Sequence, residues 1–314
     1  VIDVLLLGTG AMVPLPGRPL SSLLVRAGKS LVLFDCGEGT QVEMRRHHWG
    51  FRALDAICLS HLHADHVAGL PGLFHTVANA GRTEPMHLYG PAGTAEVIRG
   101  LRVIAQHLPF DMVIHEVGDG AAFPLPEGME VTVAEAAHRV ACVAYRVDVA
   151  RSRAFDPAKA EALGLPRTLW SRLQKGEAVT LDGAVIGPDA VLGEPRKGVA
   201  FAFMTDTRPT PGLVRLANGV DLLVCEATYA EDADAEKANL WGHLTLRQAC
   251  GIAAEAGAGA LWTTHFGGGI EDPVALESTA RAMFGPTTMG RPGLQGKISF
   301  GRGFEGIDAG SARG

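Results

Sequence analysis

Seven residues, Ser60-His-Leu-His-Ala-Asp-His66, constrain this chain more than any other stretch. Four metal-ligand types, His61, His63, Asp65 and His66, fall within six consecutive positions. Imidazole and carboxylate are the ligands that borderline divalent ions such as zinc prefer. Four packed so densely cannot all serve one tetrahedral ion that also keeps an open position, so the density points to two neighbouring ions and to hydrolysis. The fold must supply a particular local shape. Leu54 to Ser60 is a largely apolar run that reads as a buried strand. His61 and His63 lie two apart and point the same way in extended chain. Asp65 and His66 open the run Val67 to His75, which reads as a turn entering a helix.

Composition sets the frame. With 314 residues, 47% apolar and 20% charged, the chain has room for a large globular core. Its 40 glycines and 6% aromatics fit many tight strand-to-helix turns. The apolar run within Val1 to Gly10 is short and lacks a preceding basic stretch, so no secretory signal is expected. Nothing approaches the ~20 apolar residues of a membrane span. The cysteines at 36, 58, 142, 225 and 250 are odd in number and contain no CxxC, which predicts buried thiols in a reducing cytoplasm. A net charge of -6 weighs mildly against non-specific nucleic-acid binding, and DNA is not an expected partner.

Strands are predicted at 4–7, 22–26, 31–35, 54–60, 87–89, 112–116, 129–134, 142–148, 199–204, 222–226 and 260–264, with a hairpin turn at Gly28-Lys29. Helices are predicted at 40–47, 93–106, 244–256 and 274–284, and the glycine-rich tail after Gly301 is expected to fray. The region 151–197 is more polar, carries four prolines, breaks the alternation and reads as an inserted arm with a helical turn near 166–175. Strands and helices in both halves imply an α/β fold of two mixed sheets packed face to face with helices outside. A site built from several strand ends would lie at one edge. Three more strand ends carry ligand types: His138, Asp206 and His265.

HxHxDH followed by His138, Asp206 and His265 resembles the metallo-β-lactamase superfamily. The closer resemblance is to the ribonuclease Z family, endonucleases that trim the 3′ trailer from precursor tRNA. It is carried by Leu7-Gly-Thr-Gly-Ala11, Leu33-Phe-Asp-Cys-Gly-Glu-Gly-Thr-Gln41, Gly69-Leu-Pro-Gly-Leu73, Leu88-Tyr-Gly-Pro91, Thr205-Asp-Thr-Arg-Pro209, Cys225-Glu-Ala-Thr228 and Gly242-His-Leu-Thr245. The match runs over nearly the whole chain. It implies a single domain over 1–314, a four-layer αβ/βα sandwich with an exosite arm at about 151–197, and commonly a homodimer. It also implies two zinc ions, with manganese as a possible substitute. One would be bound by His61, His63 and His138, the other by Asp65, His66 and His265, and Asp206 would bridge them. Asp65 would also orient the nucleophile, and His243 held by Glu226 would protonate the leaving oxygen. The matched motifs further include Thr9 and Asp35, the latter expected to orient a ligand histidine.

Precursor tRNA is the implied substrate. Arg151, Arg153, Lys159, Arg167, Arg172 and Lys175 are the candidate RNA contacts, six basic side chains against Asp156 and Glu161 in the same stretch. The sequence departs from the family pattern at Pro14 to Ser22, at Leu165 to Trp170, after His265 (Phe-Gly-Gly-Gly-Ile-Glu271) and at Cys225. Those positions bear on substrate contacts. A related zinc hydrolase of the same fold, acting on a small phosphodiester, lactone or lactam, therefore stays open as the alternative.

Overall fold

A computed structural model describes residues 1–307. The first half of the chain forms β1 (Ile2–Gly8), β2 (Ser22–Ala27), β3 (Ser30–Phe34), β4 (Leu54–Cys58), β5 (Met86–Gly90) and β6 (Met112–Glu116). The second half forms β7 (Ala122–Leu125), β8 (Met129–Glu135), β9 (Val143–Arg151), the short pair β10 (Val179–Leu181) and β11 (Ala184–Ile186), then β12 (Arg196–Met204), β13 (Leu222–Glu226), β14 (Leu261–Thr264) and β15 (Thr287–Met289). The chain then returns through β16 (Leu294–Ser299) and β17 (Gly303–Ile307). One sheet has the order β17-β16-β1-β2-β3-β4-β5-β6, and the other β15-β14-β13-β12-β9-β8-β7. Both are mixed: β3 to β6 run parallel beside antiparallel β1 and β2, and β12 to β15 run parallel beside antiparallel β8 and β9.

The strands are apolar on both faces because both faces are covered. In β1, Ile2, Val4 and Leu6 point into the space between the sheets, while Leu5 and Leu7 point to the outer helices. Phe34 centres the inter-sheet core, its ring 5.5 Å from Phe201 and 5.8 Å from Tyr145. Helices Thr40–Arg46, Leu70–Asn79 and Thr94–Leu101 flank the first sheet through Met44, Leu73, Phe74 and Ile98. Helices Pro211–Leu216, Leu246–Glu255 and Glu277–Met283 flank the second through Leu213, Leu246, Ile252 and Ala280. The result is the four-layer αβ/βα sandwich expected from the sequence.

Several elements differ from the sequence reading. The helix predicted over 93–106 ends at Leu101 and tightens into a 3-10 turn, Arg102–Ile104. The segment predicted as helix over 274–284 begins with a 3-10 turn, Pro273–Leu276. The tail does not fray at Gly301: Gly303–Ile307 pairs antiparallel with β16, and only the residues after 307 lie outside the description. All five cysteines are buried free thiols.

The stretch between β9 and β12 is a small lobe with two helices, Pro157–Ala162 and Arg167–Gln174, and the β10-β11 hairpin. Ala160, Leu165, Leu173, Val179 and Val191 form its own apolar centre. β9 starts beside Ser60, whose carbonyl accepts from the Val143 N–H, and runs away from it to Arg151. Eight residue steps of strand at ~3.3 Å each put the lobe's root roughly 26 Å from the ligand edge.

Candidate metal centre

Every residue of the centre sits just past a strand end on one edge of the sandwich. His61 to His66 follow β4, with Asp65 and His66 in the single helical turn Ala64–Val67. His138 follows β8, Asp206 follows β12 and His265 follows β14. Asp35, after β3, joins them. Asp35, Asp206 and His265 all hold positive φ, 56°, 49° and 55°. Such backbone is uncommon outside glycine, though Asp and His adopt it more readily than most, and it clusters at functional sites. Here it lets a strand end reverse and aim its side chain across the edge.

The seven side chains converge in two groups sharing one carboxylate. His61 Nε2 lies 2.9 Å from His63 Nδ1, and His138 Nε2 lies 3.4 Å from the same His63 nitrogen. Asp206 Oδ2 is 3.7 Å from His61 Nε2 and 3.9 Å from His138 Nε2. In the second group, His66 Nε2 lies 3.1 Å from His265 Nε2, and Asp65 Oδ2 is 3.6 and 3.5 Å from those two nitrogens. Asp206 Oδ1 is 3.3 Å from His66 Nε2 and 3.2 Å from His265 Nε2. The two oxygens of Asp206 thus face different groups.

The donor chemistry fits a bound cation. The outer nitrogens are already committed. His66 Nδ1 donates to Asp35 Oδ2 at 2.7 Å, and His138 Nδ1 donates to the Gly242 carbonyl at 2.9 Å. His265 Nδ1 lies 3.0 Å from Thr228 Oγ1, and that hydroxyl gives its own proton to Glu226 Oε2 at 2.5 Å, so it accepts from the imidazole. His61 Nδ1 is likewise 3.1 Å from Ser60 Oγ, whose proton goes to Asp35 Oδ2. With the outer positions protonated, the inner nitrogens aim lone pairs at one another across about 3 Å, a repulsive arrangement unless a cation lies between. Ligands on a tetrahedral zinc at ~2.0–2.1 Å sit about 3.3 Å apart, close to these spacings. Buried Asp206 Oδ1 has no hydrogen-bond donor of its own.

The electrostatics agree. Burial pushes the Asp206 carboxyl up, but His265, His66 and His61 hold it well below the usual range. Burial also raises Asp65, and hydrogen bonds from His265 and His66 outweigh it and bring it well down. Burial lowers His66, yet Asp206 and Asp35 carry it well above its ordinary value, so the site draws positive charge. The donor set and the fold fit a divalent metal.

His243 stands at the rim, Nδ1 3.3 Å from Glu226 and 3.7 Å from Asp206 Oδ2. Burial lowers its pKa, and the hydrogen bond and charge of Glu226 raise it overall. Gly242 sets its position. At φ 81° it ends the helix Ala235–Trp241, turns its carbonyl to His138, and leaves no room for a Cβ, which would meet His138 Nδ1 at 2.7 Å. Met12, also at positive φ, donates its backbone N–H to Asp65 Oδ2 at 2.7 Å. Thr9 is buried, and its carbonyl accepts from the Phe266 N–H at 2.7 Å, tying the loop after β1 to the loop after β14. A cleft of about 930 Å³ opens over His63, Asp65, His138, Asp206, His243 and His265.

The predicted ligands, His243 and Glu226 are brought together; the six basic lobe residues are not. They lie at the other end of β9. Arg153 is consumed inside the lobe, donating to the carbonyl of Gly193 and to Asp189. Arg172 pairs with Glu177 at 3.0 Å, Arg167 lies 5.5 Å from the Trp170 ring, and Arg151 lies 5.6 Å from the Phe300 ring. Lys159 and Lys175 are exposed. Sequence reasoning missed Thr228 as the link between Glu226 and His265, and the Met12 amide. The Glu-Ala-Thr spacing was a usable signal for Thr228, since residues two apart at a strand end share a side.

A family model described as a β-lactamase superfamily domain matches residues 31–165 and 172–266. A Ribonuclease Z of Lachnospira eligens is 38% identical over 300 residues, covering 96% of this chain and 99% of that protein. A Ribonuclease Z of Clostridium beijerinckii is 41% identical over 296 residues, covering 92% and 96%. Among solved structures, the short form of human tRNase Z (ELAC1) superposes with a TM-score of 0.67 at 24% identity, over 95% of this chain and 99% of that one, which speaks to the fold.

Proposed function

The chain belongs to the ribonuclease Z family of the β-lactamase superfamily, and on that footing we propose that it is a metal-dependent endoribonuclease removing the 3′ trailer from precursor tRNA. The supporting observation is identity over nearly the full length of both chains, together with an edge that gathers seven ligand-type side chains. Two divalent ions are the reading, zinc by the nitrogen-rich donor set, with manganese able to substitute. His61, His63 and His138 would hold one, Asp65, His66 and His265 the other, and the two oxygens of Asp206 would serve both. When bound, such a pair supplies a nucleophilic oxygen at neutral pH and offsets the charge that builds on the phosphoryl group.

The chain's own groups do the rest. Asp65, held by the Met12 amide, orients the attacking water in line with the scissile bond. His243, whose pKa Glu226 raises, gives its proton to the departing 3′ oxygen. The products are tRNA ending in a 3′ hydroxyl and a trailer with a 5′ phosphate. Asp35, Thr228, Ser60 and the Gly242 carbonyl fix the ring orientations. In this reading the whole chain is one domain. The lobe at 151–197 binds the RNA backbone away from the cut, and the enzyme is a cytoplasmic homodimer, as the lobe's resemblance to the family's exosite arm supports.

The test is incubation of the purified protein with a 3′-extended precursor tRNA, mapping the cut and its end groups, with metal analysis alongside. Cleavage at the trailer junction with a 3′ hydroxyl on the tRNA is expected. Turnover of bis(p-nitrophenyl) phosphate with the precursor left intact would instead select the small-substrate hydrolase, which the departures at 14–22 and 266–271 favour.

A further inference from the structure

We propose that Trp241 and Arg139 form a stacking platform for the nucleotide on the 5′ side of the scissile phosphodiester. The inference rests on the ribonuclease Z reading and deepens it. Trp241 is the last residue of the helix Ala235–Trp241 and stays 43% exposed on the wall of the catalytic cleft. The Arg139 guanidinium lies 4.4 Å from its ring centroid. Each partner is one backbone step from the chemistry. Arg139 follows His138, and Trp241 precedes Gly242, whose carbonyl holds the His138 ring at 2.9 Å. The indole and its cation are therefore fixed relative to the ligand edge.

One helical turn earlier on the same wall, Lys237 Nζ lies 5.2 Å from the Tyr229 ring. An aromatic face paired with a cation is what a nucleobase and its flanking phosphate bind, by stacking and by charge. Arg139 and Lys237 are the basic residues of the cleft lining, and each sits against an aromatic ring; of the acids, Asp234 stands at the start of the helix that Trp241 ends, while Glu271 and Asp272 lie on the loop after β14. Arg139, against the far end of that helix, is the cation best placed to meet a phosphate flanking a base on Trp241. Polarity follows from His243. It protonates the 3′ oxygen that stays with the upstream nucleotide, and Trp241 lies two residues from it, so the upstream base meets the indole.

The experiment measures steady-state kinetics of the metal-loaded wild type, Trp241→Ala and Trp241→Phe. The substrates are precursor tRNA, precursor tRNA abasic at the last nucleotide before the cut, precursor tRNA abasic at the first nucleotide after it, and bis(p-nitrophenyl) phosphate. Trp241→Ala is expected to raise KM for intact precursor about 5- to 160-fold, the range of one base-aromatic stack, while kcat changes less. Trp241→Phe should recover most of that loss. The upstream abasic site should weaken wild type to a similar degree and leave Trp241→Ala no further loss. An unchanged KM, an equal loss on the small diester, or sensitivity to the downstream abasic site alone overturns the platform. A wild-type enzyme that turns over the small diester and leaves precursor uncut removes the parent reading, and the platform with it.

Discussion

Replacing Asp35 by asparagine tests how the centre holds its metal without touching a proposed ligand. Asp35 is fully buried and accepts three hydrogen bonds: Ser60 N–H on Oδ1 at 2.7 Å, and Ser60 Oγ at 2.8 Å and His66 Nδ1 at 2.7 Å on Oδ2. Asparagine keeps the shape and tolerates the positive φ of 56°, so backbone strain does not confound the result. Its amide has one accepting oxygen. With that oxygen in the Oδ2 place, the NH2 group confronts the Ser60 N–H, and a buried donor is left unsatisfied at a cost of about 1–3 kcal/mol. With the oxygen in the Oδ1 place, the NH2 group faces His66 Nδ1. The imidazole must then accept there and carry its proton on Nε2, the atom turned to Asp206 and His265. Either outcome works against metal, and losing an orienting partner of a ligand histidine typically costs 10–100-fold in affinity or activity, which is about 1.4–2.7 kcal/mol. The assay is competition for zinc against a chelator of known strength, with kcat/KM on precursor tRNA under saturating zinc. Asp35→Asn binding both ions within twofold of wild type at unchanged kcat/KM would refute the argument that this carboxylate sets the His66 tautomer.

Four further outcomes are expected. His243→Ala should keep its metal content and lose about 10²–10⁴-fold in precursor cleavage. It should lose far less on bis(p-nitrophenyl) phosphate, whose leaving group needs no proton; parallel losses on both substrates count against proton donation. Gly242→Ala should unfold more easily by roughly 1–2 kcal/mol from the left-handed backbone alone, seen as a lower Tm, and should weaken metal binding by displacing His138. Metal uptake should release protons increasingly as pH falls, because burial's downward pull on His66 is outweighed by Asp206 and Asp35, which raise the imidazole above its ordinary value and let a proton compete with the ion for the Nε2 lone pair. Affinity then falls as pH drops, and calorimetry in two buffers of different ionisation enthalpy detects the protons. Changing Lys159, Arg167, Arg172 and Lys175 together to glutamine should flatten the salt dependence of precursor-tRNA affinity; an unaltered slope places RNA elsewhere.

The convergence of the seven side chains was legible because the candidate ligands stand at strand ends, and strand ends are marked by apolar runs that stop abruptly. Asp206 and His265 could be found from Ala202-Phe-Met-Thr and Leu261-Trp-Thr-Thr for that reason. Asp35 was legible as an orienting carboxylate for the same reason. Backbone donors have no letter in a sequence, so the Met12 amide on Asp65 stayed hidden. The Thr228 bridge needed the parallel register of β13 with β14, which pairs Glu226 with Thr264 beside His265. β7 escaped because Pro124 interrupts it, which only an edge strand tolerates. β16 and β17 escaped because Gly296, Gly301, Gly303 and Gly306 erase the alternation, although the two strands pair over five residues. In the lobe, basic composition suggested six equal contacts, while the structure spends Arg153 on internal carbonyls and Asp189.

The root of the lobe lies the length of β9 away from the edge where bonds are broken. A molecule must be long as well as correctly ended to touch both at once. If the lobe grips RNA as proposed, two anchor points so far apart would act as a caliper: short oligonucleotides with a perfect junction would engage only one jaw. They would be processed at an ordinary rate once bound and yet be bound rarely, so discrimination among RNAs would reside in how often a complex forms rather than in how fast it reacts.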